Sequence, residues 1–464
     1  MIIKNISGED MFFGWIGTGG AWIIDNATKE VPDDLAFTTG FKNAKDNAYI
    51  EVVSYDESVE SHVVQEELQS VVRESELVVN VGPTREITTP AEAFALADKT
   101  YFKGGLKVLL DPGVYSVASL AKIDKVTVLG DTARSLAGYH WKNGLDNSYW
   151  PPANAGAGTI TITNAGNEII VTCVTTNPDF VAGGIVAGDK VVAKDNAGIV
   201  TEYEIADAID NRLILTTTAP NMTGDTGFFI APNVQITGLS FNGCETVTVE
   251  GIYIKDNSFS IQNSNTVNLD RICVFNGPST KFVIFRYNKY IYGGYFSFGG
   301  RQTTTIEYCD YVYLYDVLYL DNETSAWPII KCNHNQYVSI DWLDILGKVG
   351  ATKVGVNCEY TSWLYLGYGF RSKNIAYHLF LQGVKNAYTW GSFLDAGAYG
   401  VWASGSKIYT DAPQTVQNQS SFGFRADDKA LIIVAGATLS GNGADYSPAV
   451  SGAEGNNDAI IVHP

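Results

Sequence analysis

Val247-Thr-Val-Glu-Gly-Ile-Tyr-Ile254 holds two apolar pairs, Val247 with Val249 and Ile252 with Ile254, on either side of a glycine. Alternation within each pair is the period of a strand with one face turned to a core. The phrase returns as Val267-Asn-Leu269, Ile291-Tyr-Gly293, Val312-Tyr-Leu314, Val338-Ser-Ile340, Leu364-Tyr-Leu366 and Tyr388-Thr-Trp390, with degenerate copies at Ile408 and Leu431. Successive anchors lie 20, 24, 21, 26, 26, 24, 20 and 23 residues apart. A repeat of that size built from short strands is a solenoid, whose coils bury their apolar faces only by stacking on one another.

The second pair also recurs, as Ile272 and Val274, Phe296 and Phe298, and Leu343 and Ile345. Between the pairs a one-residue bend is expected, at Gly251, Gly294 or Gly367, where a coil turns a corner. The leucine and asparagine pattern of leucine-rich repeats is absent. The fold expected is therefore all-β, a right-handed parallel β-helix. Each coil should bury about four or five apolar side chains, at roughly 1.5 to 3 kcal/mol apiece before entropy is subtracted. Stability is then collective.

Composition fits a large β-protein. The 464 residues include 46 glycines and 26 tyrosines but only 17% charged residues. A net charge of −19 argues against nucleic acid and anionic membrane surfaces, which need basic patches. It leaves neutral sugars open. No apolar run is long enough for membrane insertion. Met1-Ile-Ile-Lys-Asn-Ile-Ser-Gly-Glu-Asp10 lacks the basic and apolar regions of a signal peptide, so synthesis in a cytoplasm is expected.

The six cysteines form no CxxC pair. Cys244 and Cys309 both fall three places before an anchor, and Cys332 and Cys358 both fall six before, so buried thiols in columns are expected rather than disulfides. His62, His140, His334, His378 and His463 are too scattered for a triad or a metal site, and Walker, Rossmann and EF-hand patterns are missing. No cofactor or metal is expected. Gly17-Thr-Gly-Gly20 lacks the lysine of a phosphate loop and reads as a turn.

Ahead of the repeats, Met11-Phe-Phe-Gly-Trp-Ile16, Ala21-Trp-Ile-Ile24 and Tyr49-Ile-Glu-Val-Val-Ser54 read as strands of a small domain. Val64, Leu68, Val71 and Val78 then fall at helical spacing, which fits a neck helix or short coiled coil, a surface helix, or a strand. A boundary follows at Val81-Gly-Pro83. Thr89-Pro-Ala-Glu92 has the capping residue, first-turn proline and glutamate of a helix start, and the helix should run to about Lys99 with Phe94 and Leu96 among its apolar contacts. Such a helix would close the open end of the first coil.

After it, Gly104-Gly-Leu-Lys-Val-Leu-Leu-Asp-Pro-Gly-Val-Tyr115 reads as strand, turn and strand, and Lys125-Val-Thr-Val-Leu-Gly-Asp131 supplies the next strand. This run of helix, strand and Asp111-Pro-Gly-Val-Tyr115 resembles the opening of pectate-lyase-like β-helices in bacteriophage tailspikes and tail fibres. The stretch around Phe12-Phe-Gly-Trp15 looks similar to domains that fasten such proteins to a phage tail. The resemblance implies a homotrimer, carried on the virion, made in the host cytoplasm, joined to a tail or baseplate protein through its N-terminal domain and directed at a bacterial surface glycan. It carries no catalytic motif.

Residues 132 to 232 interrupt the repeat. Thr159-Ile162, Glu168-Val171, Lys190-Val192, Tyr203-Ile205 and Leu213-Leu215 read as strands separated by turns, with Asp210-Asn211 suited to a tight hairpin. An inserted antiparallel β-domain is expected, for which the resemblance to tailspikes implies a sugar-binding or trimer-shaping role, with a plain spacer as the alternative. The organisation is thus an attachment domain and neck at 1–80, a β-helix opening at 81–131, the insert at 132–232 and the main β-helix at 233–464.

Function is sought on the outside of the coils. The residues just before four successive anchors are Tyr290, Tyr311, Tyr337 and Trp363, and the next outward column holds Tyr292, Tyr313, Ser339 and Tyr365. Coils stack about 4.8 Å apart, so these seven aromatics would make one patch larger than a monomer leaves bare. It suits either the apolar faces of sugar rings or contact between three chains. A register one residue out would turn the rings inward.

Acids border the patch. Glu250, Asp270 and Asp341 share the place three after the anchor, Asp316 lies one further, and Asp344, Asp321, Glu323 and Asp395 are near the same edge. Glycoside hydrolysis uses two carboxyls about 5 to 5.5 Å or 6.5 to 9.5 Å apart, so Asp316, Asp341 and Asp344 are the catalytic candidates. Arg271, Arg286 and Arg301 offer clamps for a lyase, without calcium-ligand spacing beside them. The function expected is recognition, with hydrolysis open, of a bacterial surface polysaccharide. The rivals are a non-enzymatic adsorption fibre and a free polysaccharide lyase.

Overall fold

The structure, a computed structural model, describes residues 2–13, 21–30, 44, 48–54, 76–97, 104–148, 151–321, 327–350, 352–367, 369–411, 414–447 and 459–462. The chain divides into two compact units near Arg73 and Glu74.

In the first unit Ile2–Asn5 lies between Thr28–Glu30 and Ile50–Ser54 in an antiparallel sheet, and Met11–Phe13 pairs with Ala21–Ile23. Ile3, Ile23 and Ile50 are buried. Asn5 Nδ2 donates to Ile23 O and Glu9 O, each at 2.8 Å, and ties the pair of strands to the sheet. The glycine turn at 17–20 lies outside the described residues.

The helical pattern of 62–79 falls mostly outside them too. Its last anchor, Val78, sits in the strand Leu77–Val81 with 49% of its surface exposed, so at that point the period is two. This strand pairs in parallel with Leu106–Leu110. The first rung of the β-helix therefore begins before the boundary drawn at Val81.

The second unit is a parallel β-helix of three sheets. Rungs of the first sheet stack from Leu77–Val81 through Leu106–Leu110, Lys125–Leu129 and the anchor strands to Ile460–Val462. The second sheet takes the apolar pair that follows each anchor, as Ile252 pairs with Ile272 and that with Phe296. The third stacks Phe259, Val283, Thr304, Ile330 and Val356. Anchor residues such as Val247, Val267, Ile291, Val312, Val338 and Leu364 are buried inside, as are Ile252, Phe296 and Leu343.

The corner between first and second sheets is a left-handed residue. Gly251, Arg271, Tyr295, Asp316 and Trp342 occupy it on successive coils, with φ of +66°, +51°, +53°, +54° and +49°. Non-glycine residues there cost about 1 to 2 kcal/mol each, which stacked neighbours offset. At Gly251 a side chain would also strike Asp131 O at 2.6 Å. Gly294 and Gly367 are not the bends expected of them. They are bare floors for rings: an added Cβ would lie 2.1 Å from Tyr315 at Gly294 and 2.1 Å from Tyr365 at Gly367.

Two anchors shift by one place. Ala387 pairs with Leu364 and Ile408, so Tyr388 points outward onto Tyr365, and Ile432 rather than Leu431 is the buried residue of the next copy.

The helix Pro90–Ala97 begins as expected. Thr89 Oγ1 accepts from Glu92 N at 3.2 Å and Glu92 Oε2 accepts from Thr89 N at 3.2 Å. Phe94 packs against Phe241 of the third sheet, with ring centroids 6.0 Å apart. All six cysteines are free, and Cys332 and Cys358 stack on neighbouring rungs.

The chain leaves the coil after Leu129 and rejoins it at Val234, where Val234–Ile236 pairs with Gly113–Tyr115. Between them lies an antiparallel seven-stranded sheet in the order His140–Lys142, Gly227–Ala231, Lys190–Lys194, Val200–Ile209, Arg212–Leu215, Glu168–Cys173 and Ile160–Ala165. Asp210 takes a φ of +46° in the two-residue turn that joins Ile209 to Arg212. One face holds its own core around Trp141, Phe180 and Phe228. The other lays Val192, Phe229 and Ala231 on the outside of the second sheet, against Tyr253, Cys273, Phe275, Leu318, Leu320 and Leu346. Those strands are apolar on both sides because both sides are buried.

Candidate functional site

The second sheet is roofed by the insert over these coils, so the first sheet offers its outer face instead. Tyr290, Tyr311, Tyr337 and Trp363 are in register on four successive rungs, and Tyr292, Tyr313, Ser339 and Tyr365 form the column beside them. All seven aromatics point outward. Trp363 is 53% exposed and Tyr292 42%. Tyr311 and Tyr337 stack at 4.9 Å, and Tyr292 lies 5.7 Å from Tyr311. The second column runs on to Tyr388, stacked 5.2 Å from Tyr365, and then to Tyr409.

A second ladder, missed in the sequence, stands at the corner between third and first sheets. Tyr287, Tyr308, His334 and Tyr360 are exposed, and neighbouring rings lie 5.1, 5.1 and 5.2 Å apart in near-parallel stacks. Each takes a left-handed φ between +49° and +56°. Behind it the corner is pinned from inside. Asn288 Oδ1 accepts from Ser264 N at 3.0 Å and Asn335 Oδ1 from Cys309 N at 2.9 Å, while their amide groups donate to Ile261 O and Ile306 O. Each ladder ring comes three residues before a stripe ring, which was the available signal.

The candidate acids separate. Asp341 lies at the stripe, where Tyr313 donates to its Oδ2 at 3.1 Å and its buried Oδ1 has no partner. Burial raises the Asp341 carboxyl above its ordinary range, against the pull of that hydrogen bond. Burial and the nearby Asp341 charge push the Tyr313 phenol up to about 12.

Asp316 and Asp344 face the insert. His140 Nε2 lies 3.3 Å from Asp316 Oδ1, and Lys142 Nζ lies 2.8 Å from Asp344 Oδ1. The Asp316 side chain keeps 18% exposure, and burial raises its carboxyl although His140 opposes this. Burial also works against the Asp344 charge, but Lys142 and Arg371 outweigh it and hold that carboxyl below its usual range.

The remaining acids are in ion pairs. Arg271 bridges Glu250 and Asp270, Lys353 meets Asp321 at 2.7 Å, and Lys373 meets Asp395 at 3.0 Å. Glu323 lies outside the described residues. Arg286 is paired with Glu307. Among the described residues no cluster of histidine, cysteine and carboxylate side chains is placed to hold a metal, and no helix is long and apolar enough to cross a membrane.

No protein-family model and no curated protein matches the chain. Solved structures do resemble it. They include the tailspike protein gp49 of Pseudomonas phage LKA1, at 12% identity over 72% of this chain and 67% of that one, with a TM-score of 0.21. The gp54 tailspike of Acinetobacter baumannii bacteriophage AP22, solved with A. baumannii capsular saccharide, is 10% identical over 86% and 71%, with a TM-score of 0.20. The tailspike gp61 of Pseudomonas phage phi297 is 8% identical over 80% of each chain, with a TM-score of 0.17. At such identities and TM-scores the likeness carries no argument about this chain.

Proposed function

We propose that this protein recognises a bacterial surface polysaccharide as part of a phage tail, laying the polymer along the stripe of the first sheet and the neighbouring corner ladder. The observation that carries the reading is the registered pair of outward aromatic columns, Tyr290 to Trp363 and Tyr292 to Tyr409. Rings repeated at one rung spacing offer flat apolar surface edged by hydroxyls, which matches the alternating C–H and O–H faces of a sugar chain. The parallel β-helix and its helix-capped opening support the tail assignment. With it come a homotrimer, residence on the virion and attachment through residues 1–80.

Binding is the reading this geometry supports best. Asp316 and Asp344 are engaged by His140 and Lys142, and Asp341 alone of the three borders the stripe. Hydrolysis is a second reading, favoured by the raised carboxyls of Asp316 and Asp341. Incubating the purified protein with capsular and lipopolysaccharide polymers tests both. Retention of a polymer with unchanged length and no new reducing ends supports the binder, shortening with new reducing ends supports the hydrolase, and retention of none contradicts the glycan reading.

A further inference from the structure

On the outer face of the third sheet, around the corner from the stripe, lies a cleft of about 300 Å³. Its rim is aromatic. Trp327 is 59% exposed and Phe282 37%, their ring centroids 6.4 Å apart at a near-perpendicular angle. Its floor is polar, built from outward residues of adjacent rungs: Arg286, Glu307, Lys331, Asn357 and Glu359. Tyr287, Tyr308 and Tyr360 of the corner ladder directly follow Arg286, Glu307 and Glu359 in the chain.

The floor's hydrogen bonding limits what fits. Arg286 Nε and Nη2 both donate to Glu307 Oε2, at 2.9 and 2.5 Å, and Lys331 Nζ lies 3.9 Å from Glu307 Oε1. Both cations are thus directed at one carboxylate. Asn357 Nδ2 donates to Glu359 Oε1 at 2.9 Å, while Asn357 Oδ1 is buried without a partner. Two cations and two carboxylates cancel, so the cleft has no surplus positive charge for an anion. What it offers hydroxyls is partners of both kinds, donors on Arg286 and Lys331 and carboxylate oxygens on Glu307 and Glu359.

We infer that this cleft binds one unit of a neutral sugar, its C–H face on Trp327 and its hydroxyls donating to Glu359 and accepting from Lys331. An acidic sugar is disfavoured, because its carboxylate would have to compete with Glu307 for Arg286 and Lys331. The cleft extends the proposed glycan path around the ladder and rests on that reading for its polymer.

Calorimetric titration of the full-length protein with cellotetraose, chitotetraose, a galactose tetramer and a galacturonate tetramer tests it. A neutral tetramer should bind, Trp327→Ala should weaken it about tenfold, equivalent to 1.4 kcal/mol, and Glu359→Ala should weaken it too. Trp327 is exposed enough that its loss leaves the fold intact. Unchanged affinity in Trp327→Ala, with binding lost in Tyr311→Ala/Trp363→Ala, overturns the cleft and leaves the stripe standing. Preference for galacturonate overturns the neutral class, and no binding by any neutral tetramer overturns the inference.

Discussion

Lys142 Nζ, on the first strand of the insert, donates to Asp344 Oδ1 at 2.8 Å across 202 residues of sequence, and both side chains are almost enclosed. Breaking one side of a buried pair strands the other charge, at a cost of about 3 to 5 kcal/mol. Asp344→Ala should therefore lower the free energy of unfolding by that amount, and Lys142→Met with Asp344→Leu should recover most of it. Denaturant titration reads the result. An Asp344→Ala protein of full stability that loses only polymer cleavage would return Asp344 to a catalytic role.

His378 is buried in the coil with Nδ1 2.7 Å from Ser372 Oγ, and burial pulls its pKa down to about 3. The unfolded chain takes up a proton near 6.5 that the folded chain refuses. The stability contributed by the neutral ring is whole above pH 6.5 and drains away as pH falls toward 3. His378→Gln should remove this part of the acid sensitivity, measured as a smaller loss of urea midpoint between pH 7 and pH 5. An equal loss in both proteins would contradict it.

Truncation separates the two units. Removing residues 1–73 leaves Leu77–Val81 on the first rung and should leave the midpoint of the β-helix unchanged. Removing residues 1–81 strips that strand from Leu106–Leu110, bares Leu106 and Val108, and should lower it. Thermal unfolding of the two fragments is the check, and equal midpoints would refute the rung assignment.

The solenoid was legible because its anchors are large. Val247, Val267, Ile291, Val312 and Val338 repeat without rival, whereas Ala387 is a small apolar residue beside the larger Tyr388, whose ring masks the register. Gly251 is a bend as expected, whereas Gly294 and Gly367 are not, for the opposite reason. Glycine is the expected left-handed residue, yet Arg271, Tyr295, Asp316 and Trp342 hold that conformation under the constraint of stacked neighbours. The stripe emerged because outward rings at anchor-minus-one share one register. The fate of the acids did not emerge, since His140 and Lys142 come from the insert and only folding brings them to Asp316 and Asp344. One clue was present: Cys273, Phe275, Leu318 and Leu320 are apolar at outward positions, which a solvent-facing sheet does not need.

If the polymer is cut, Asp341→Asn and Asp316→Asn should each abolish new reducing ends while leaving the sedimentation behaviour unchanged. Full cleavage in both would remove them as the pair.

Glycan recognition on the aromatic columns is tested most directly by comparing the intact protein with Tyr311→Ala/Trp363→Ala in equilibrium binding to the polymer it retains, with sedimentation of both. Weakening by at least about tenfold at an unchanged oligomeric state is the predicted result. Unchanged affinity would contradict it, and a loss of self-association with affinity per chain preserved would make the stripe a contact between chains.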